Sequence, residues 1–398
     1  MMTREIQVWF LFFFTFDAYS KLVNEQVQFM KTFKQFLFIF LFGIPVFSQN
    51  TYLLEGTLGT ATIFMEITEY DNNYIEGNYF YQKSLKDIRL NGKFEETSYR
   101  LFFGNDYGEE EYQEKFELTK TKSEFSGQWK NKAGKTIAVR LNKIDFSKYK
   151  SFKNENSENN LDLVKLSLLN FTQDSISTYK NQEIIWLKET HCNAPFFRLG
   201  KTFSEETKKN INPVLVNIHE EMTLNQLSCS SPFSYNEGKG IDYSISIGYL
   251  DENLLGFQVF SSYFCGGAHP DFGGDGYLID MHHGKRYDID SIIAFDESVT
   301  SYGDENFEQF STYRATFFAP KLFELINQKE KFGTANNEED YCDYTEKEIW
   351  EFPQWNFTTK GIEFTPVFAR VARSCEHPFL IDFKDLKPFK NTNFPYDF

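Results

Sequence analysis

The sequence predicts an α+β protein: an N-terminal all-β meander, closed into a barrel or folded as a sandwich, then an antiparallel sheet with helices packed on one face. Three observations carry this reading. Aromatic side chains make up 18% of the 398 residues, with 46 Phe and 22 Tyr, and such residues favour pleated strands. Residues 49–145 place short apolar runs between Gly, Asn and Lys turns at strand spacing. From residue 161 onward, helical spacings appear between hairpins. The length suits two or three domains at about 150 residues each. With Gly 23 and Pro 11, breakers are too few for a disordered or collagen-like chain.

In the N-terminal unit, Thr62–Ile67 and Tyr74–Tyr81 flank the Asp71-Asn72-Asn73 turn. Short strands follow at Asp87–Leu90, Tyr99–Phe103, Glu114–Thr119, Glu124–Trp129 and Thr136–Leu141. Gly77, Gly92 and Gly127 each precede an aromatic residue by two, and glycine inside a strand marks a bend or bulge that a curved sheet needs. A small barrel of this kind can also hold an apolar ligand. Residues 146–160 are polar, Asn-rich and without periodicity, and read as a linker.

Beyond the linker, in residues 161–398, Ser204 followed by Glu205 and Glu206 opens a helix toward Glu220, since an N-cap serine and first-turn acids complement the free N–H groups and the dipole. Ile211, Leu215 and Ile218 give it an apolar face, and Pro213 invites a kink. Asp242–Tyr249 and Leu254–Tyr263 form a hairpin around Asp251-Glu252-Asn253. Gly276–Met281 and Arg286–Ile292 form another around His282-His283-Gly284-Lys285. A second helix covers about Asn306–Lys329, with Phe310, Tyr313, Phe317, Leu322 and Ile326 as its stripe. Gln354–Thr358 and Ile362–Phe368 turn at Thr359-Lys360-Gly361, and Phe379–Phe383 is the last strand.

The start of the chain reads as an export signal. From Met30, Lys31 and Lys34 precede the apolar run Phe36–Phe47, and Val46-Phe47-Ser48 supplies a cleavage site before Gln49. Residues 30–48 are therefore expected to be removed, and residues 1–29 read as an upstream extension from a misplaced start. The apolar run is too short to span a bilayer comfortably, so no stable membrane insertion is expected after processing, and the product is periplasmic or secreted. No Cys near the cleavage site points to a lipoprotein.

All five cysteines, Cys192, Cys229, Cys265, Cys342 and Cys375, lie in the C-terminal half. Outside the cytoplasm such residues pair, and an odd count leaves one over. Cys192 and Cys229 flank the first helix and are expected to pair. Among the other three, Cys265 with Cys375 is preferred, though the sequence does not choose. The absence of CxxC spacing argues against a metal site, and no cofactor is expected.

The densest group of special residues is Cys265-Gly266-Gly267-Ala268-His269-Pro270-Asp271-Phe272-Gly273-Gly274-Asp275. Its glycines permit positive φ and close backbone approach. Gly266, Gly267, His269, Asp271 and Asp275 are therefore the candidate ligand-binding loop, against a plainer reading in which the loop is only shaped and His269 bonds to backbone. His282 and His283 sit at the far end of the intervening strand, so the group cannot hold one metal. There is no GxSxG, HExxH, Walker or GxGxxG motif, and no catalytic residue is assigned. Acidic runs such as Glu109-Glu110-Glu111 and Glu338-Glu339-Asp340 read as solvated surface. The formal charge of −16 makes a nucleic-acid partner a poor fit, because phosphate binding rests on Lys and Arg.

Tyr263-Phe264-Cys265-Gly266-Gly267-Ala268-His269-Pro270, then Asp280-Met281-His282-His283-Gly284-Lys285 and Asp288-Ile289-Asp290-Ser291-Ile292, resemble the C-terminal extracellular domain of the RsiV-like lysozyme-sensing anti-sigma factors. Trp355–Phe364, Phe379–Phe383 and Leu386 look like that family's closing strands, so the resemblance spans roughly residues 160–390. A similar module accompanies secreted peptidoglycan deacetylases, whose catalytic domain has no counterpart here. The resemblance implies an extracytoplasmic recognition domain for lysozyme or a cell-wall glycan. After removal of residues 1–48, 37 basic against 54 acidic residues leave −17, a charge that would steer a cationic lysozyme. The expectation is thus a non-enzymatic binding protein for an envelope protein or glycan. The rivals are an envelope hydrolase using His269 with Asp271 or Asp275, and an apolar small-molecule carrier.

Overall fold

The computed structural model describes residues 50–104, 112–122, 124–149, 160–232, 238–298, 302, 306–333 and 342–398. The expected leader with its cleavage site and upstream extension, residues 150–159 of the linker, and the runs Glu109–Glu111 and Glu338–Asp340 lie outside them.

Eight antiparallel strands form a closed barrel in chain order: β1 (Asn50–Leu58), β2 (Ala61–Glu69), β3 (Tyr74–Tyr81), β4 (Ile88–Glu95), β5 (Ser98–Phe103), β6 (Glu114–Lys120), β7 (Glu124–Asn131) and β8 (Thr136–Lys143). Closure comes from β1 against β8, with Leu54 opposite Lys143 and Leu58 opposite Val139, so the barrel stands and the sandwich does not. Inward positions alternate as the pleat requires: Ile63, Met65 and Ile67 of β2 are fully buried. The lumen is packed with its own side chains, the rings of Tyr79 and Phe116 meeting edge-on at 5.0 Å. The half-buried Glu114 carboxylate is satisfied there too, accepting from Tyr79 Oη at 2.6 Å and from Trp129 Nε1 at 3.1 Å. A β-carbon at Gly92 would lie 1.9 Å from the Arg100 carbonyl oxygen, and one at Gly127 2.0 Å from that of Glu117. Bare backbone is what lets these strands curl.

The barrel's outer face also packs. Phe64 and Phe80 stack at 5.1 Å and are buried with Leu161 and Val164 of helix α1 (Leu161–Leu168) and with Leu227. Asn160 caps α1 by accepting from the Leu163 N–H at 3.0 Å.

The remainder holds three antiparallel sheets. The first is β9 (Phe171–Tyr179), β10 (Gln182–Glu189) and β11 (Pro195–Leu199). The second is β12 (Gly240–Leu250), β13 (Leu254–Phe264), β14 (Asp271–Asp280) and β15 (Arg286–Tyr287). The third is β16 (Gln354–Phe357), β17 (Gly361–Thr365) and β18 (Phe379–Asp382). One face of the second sheet packs on helix α2 (Glu205–Cys229) through Phe257, Val259 and Ile279 against Ile211, Leu215 and Ile218. Its other face buries Leu254 and Leu278 against Phe357, Ile362 and Phe364 of the third sheet.

Helix α2 continues through Pro213 and past Glu220 to Cys229, because Met222, Leu227 and Cys229 go on burying surface. The predicted strand Arg286–Ile292 stops at Tyr287. Asp288 accepts from the Ser291 N–H at 2.7 Å and starts the short helix α3 (Ile289–Ile292), an N-cap signal that outweighs apolar alternation. The predicted helix at 306–329 is α4 (Phe307–Tyr313) and α5 (Ala319–Glu330), joined by a π-turn at Arg314–Phe318. That extra residue moves the buried face one position along: Phe318 is fully buried and Phe317 is 38% exposed.

The disulfides are Cys229–Cys265 and Cys342–Cys375, and Cys192 is free. This corrects both expected pairings. Cys192 packs in the cluster that takes Leu227, while Cys229 lies two residues further on, about 200° around the helix. Cys375 is buried in the core between the second and third sheets, whereas Cys265 joins the end of α2, so the second sheet separates them.

Candidate functional site

The β13–β14 register decides what the Gly-rich run does. Val259 faces Asp275, Ser261 faces Gly273 and Tyr263 faces Asp271, so by the two-residue repeat these side chains share the face turned to α2. Only the first part of the predicted loop is a loop. Asp271 to Asp280 is strand, which places Gly273, Gly274 and Asp275 within β14.

Glycines on the opposite face have a packing role. Strand β16 crosses the sheet so closely that a β-carbon on Gly276 would lie 2.3 Å from the Trp355 carbonyl oxygen. Gly248 and Gly256 would meet the Phe357 carbonyl oxygen at 2.7 and 3.1 Å.

On the α2 side the strands and the helix enclose a cleft of about 460 Å³. Tyr243, Tyr277 and Ser261 form its floor, Glu221, Met222 and Asn225 of α2 one wall, and Asp275 projects into it. The Cys229–Cys265 disulfide ties the end of α2 to the hairpin tip and also lines the cleft. Tyr243 Oη donates to the Met222 carbonyl at 3.1 Å, anchoring the floor to the helix. Asp275 is reached by solvent, yet the surrounding protein removes enough water to raise its pKa; the Arg286 guanidinium opposes the rise and Glu221 adds to it. Arg286 lies 4.5 Å from the Tyr277 ring. Arg89 of β4 also lines the cleft, so the arrangement offers two carboxylates, one guanidinium and several aromatic faces to a charged or amphipathic group.

Of the five predicted loop residues, only Asp275 lines the α2–β14 cleft. Gly266 takes positive φ, 85°, at the hairpin tip, and a β-carbon on Gly267 would meet nothing within 4 Å. His269 is exposed. Asp271 lies 3.2 Å from Arg373 and accepts its neighbour Phe272's N–H at 2.9 Å. Asp275 alone reaches the cleft. His282 and His283 shape the β14–β15 turn, their N–H groups donating to Asp280 at 2.7 and 3.0 Å. Among the described residues no three His, Cys, Asp or Glu side chains gather as metal ligands. Burial, mainly, pushes the Cys192 thiol up to about 12, so little of it is thiolate at neutral pH.

Sequence reasoning missed Tyr243, Tyr277, Glu221 and Arg286. The alternation of β12 and β14 carried the sidedness of the two tyrosines, but which helix covers that face is a tertiary fact.

No family model matches the chain, and no curated protein does. Among solved structures, a DUF3298 family protein from Pseudomonas aeruginosa PAO1 aligns at 13% identity and a TM-score of 0.31, over 57% of this chain and 93% of its own. A DUF3298 family member from Bacteroides fragilis aligns at 13% identity and a TM-score of 0.30, over 56% of this chain and 94% of its own.

Proposed function

We propose that this is an exported, non-enzymatic binding protein that recognises a cationic envelope protein, such as a lysozyme, at the α2–β14 cleft. The observation that carries the reading is the cleft itself, where Asp275 and Glu221 stand over Tyr243 and Tyr277 in a chain of formal charge −16. Two disulfides suit an oxidising compartment. No helix among the described residues is long and apolar enough to cross a membrane. Complementary charge speeds encounter and fixes register, and aromatic rings at a mouth accept guanidinium or ammonium groups.

Pull-down of the protein with a c-type lysozyme, alongside sedimentation with purified peptidoglycan, tests the proposal. Capture of lysozyme that weakens in Asp275→Asn supports it. Capture by peptidoglycan alone would transfer recognition to a glycan. Silence in both at micromolar protein would remove it.

A further inference from the structure

A second, smaller pocket lies on the sheet face turned away from α2, where β16 and β17 cross β13 and β14. It has about 160 Å³ and is lined by Phe260, Phe272, Gln258, Gln354, Asn356 and Thr365, with Glu363 and Glu376 beside them. The two rings stand 5.9 Å apart at 33°, and Phe260 is 38% exposed, an unusual position for a phenylalanine with a core nearby.

The carboxylates are already engaged. Glu363 accepts from Asn356 Nδ2 at 3.0 Å, and Glu376 accepts from Gln354 Nε2 at 3.5 Å. Glu376 also takes the Phe368 N–H at 2.9 Å, and its side chain is 1% exposed beside Arg373 Nε at 3.2 Å. Each acid therefore orients an amide of the pocket wall and is not left to meet a cation. Arg373 stands 4.5 Å from the Phe272 ring, but Asp271 and Glu376 already take its guanidinium, and no Lys or Arg lines the pocket itself, so an anion finds no unpaired cation. What remains is a set of groups that both donate and accept, the three carboxamides of Gln258, Gln354 and Asn356 and the Thr365 hydroxyl, next to aromatic faces. That combination matches a neutral ligand whose hydroxyls also donate and accept and whose C–H face is apolar.

We infer that this pocket binds one ring of a neutral saccharide, its apolar face against Phe260 and Phe272 and its hydroxyl or N-acetyl groups on Gln258, Gln354 and Asn356. The volume takes a single sugar unit and excludes a folded protein's loop, so this subsite is separate from the α2–β14 cleft and deepens the envelope reading by adding a glycan contact.

The test is saturation-transfer NMR on the full chain with chitotriose, and with maltotriose to separate N-acetyl recognition from hydroxyl recognition. Transfer confined to one sugar unit is expected, with affinity falling about tenfold in Phe260→Ala and in Gln354→Ala. Phe260 is partly exposed, so its removal leaves the core intact, and circular dichroism on both variants checks folding. Asp275→Asn should leave saccharide binding unchanged. Absence of transfer to both sugars, or transfer that survives Phe260→Ala, overturns the inference. Lysozyme capture that persists in that case shows that the cleft reading stands without it.

Discussion

Gly276 lies beneath Trp355 with space for a hydrogen and not for a methyl group: a β-carbon would sit 2.3 Å from the Trp355 carbonyl oxygen and 2.6 Å from its ring. Both obstacles belong to β16, whose carbonyl is backbone and cannot rotate away. The glycines of this sequence run are therefore shared between two tasks, close sheet-on-sheet contact on one face and an open cleft on the other.

Gly276→Ala should accordingly destabilise the protein by about 1–3 kcal/mol through overpacking. Gly267→Ala, which meets nothing within 4 Å, should change stability by less than about 0.5 kcal/mol. Urea unfolding midpoints of the two variants check this; equal losses would mean that β16 does not press on β14.

The π-turn makes a sharper contrast between neighbours. Phe318→Ala removes a fully buried ring and should cost about 3–5 kcal/mol. Phe317→Ala, at 38% exposure, should cost well under half of that. An unbroken α-helix through this stretch would reverse the order.

The cysteines give a chemical prediction. In denaturant without reductant, Ellman's reagent should count one thiol per chain, since Cys192 is free and the other four are bridged. In the folded protein that thiol should react slowly because burial holds it protonated. Cys265→Ser should cost about 2–4 kcal/mol and loosen the cleft, whereas Cys192→Ser should leave binding intact.

The buried pair Asp290–Arg314 supplies a pH dependence. Arg314 Nη2 lies 2.5 Å from Asp290, yet burial outweighs the guanidinium and raises the Asp290 pKa to about 6. A carboxyl raised in the folded state binds its proton more tightly there than in the unfolded chain. Its contribution therefore favours folding at low pH and is lost as pH rises from about 4 through about 6. Unfolding free energies of wild type and Asp290→Asn across that window check the sign: the difference between them should change with pH in this range and level off above it.

Where local chemistry decides structure, the chain was readable in advance. Alternation and turn residues located seven of the eight barrel strands, and Ser204 with Glu205 and Glu206 marked the start of α2. Strand β1 was missed because its pairing with β8 is the least local in the barrel. The π-turn was missed because an inserted helical residue leaves no periodic trace until Phe318, not Phe317, is seen to be buried. The glycines around Asp275 draw attention to it in the sequence, and in the fold it lies among the cleft-lining residues. Its partners Glu221 and Tyr243 come from elements 54 and 32 residues away in the chain, and only the packing of α2 onto the sheet brings them together. The disulfides failed for the same reason: spacing cannot reveal on which side of a sheet a cysteine lies.

The most direct test of the recognition claim is calorimetric titration of the protein with a c-type lysozyme, at low and at physiological salt, for wild type, Asp275→Asn and Glu221→Gln. Saturable binding is expected, weaker at higher salt as exposed charges are screened, and about three- to tenfold weaker in each variant with the fold unchanged. Binding that ignores both substitutions and the salt, or no heat at all at micromolar protein, would contradict it.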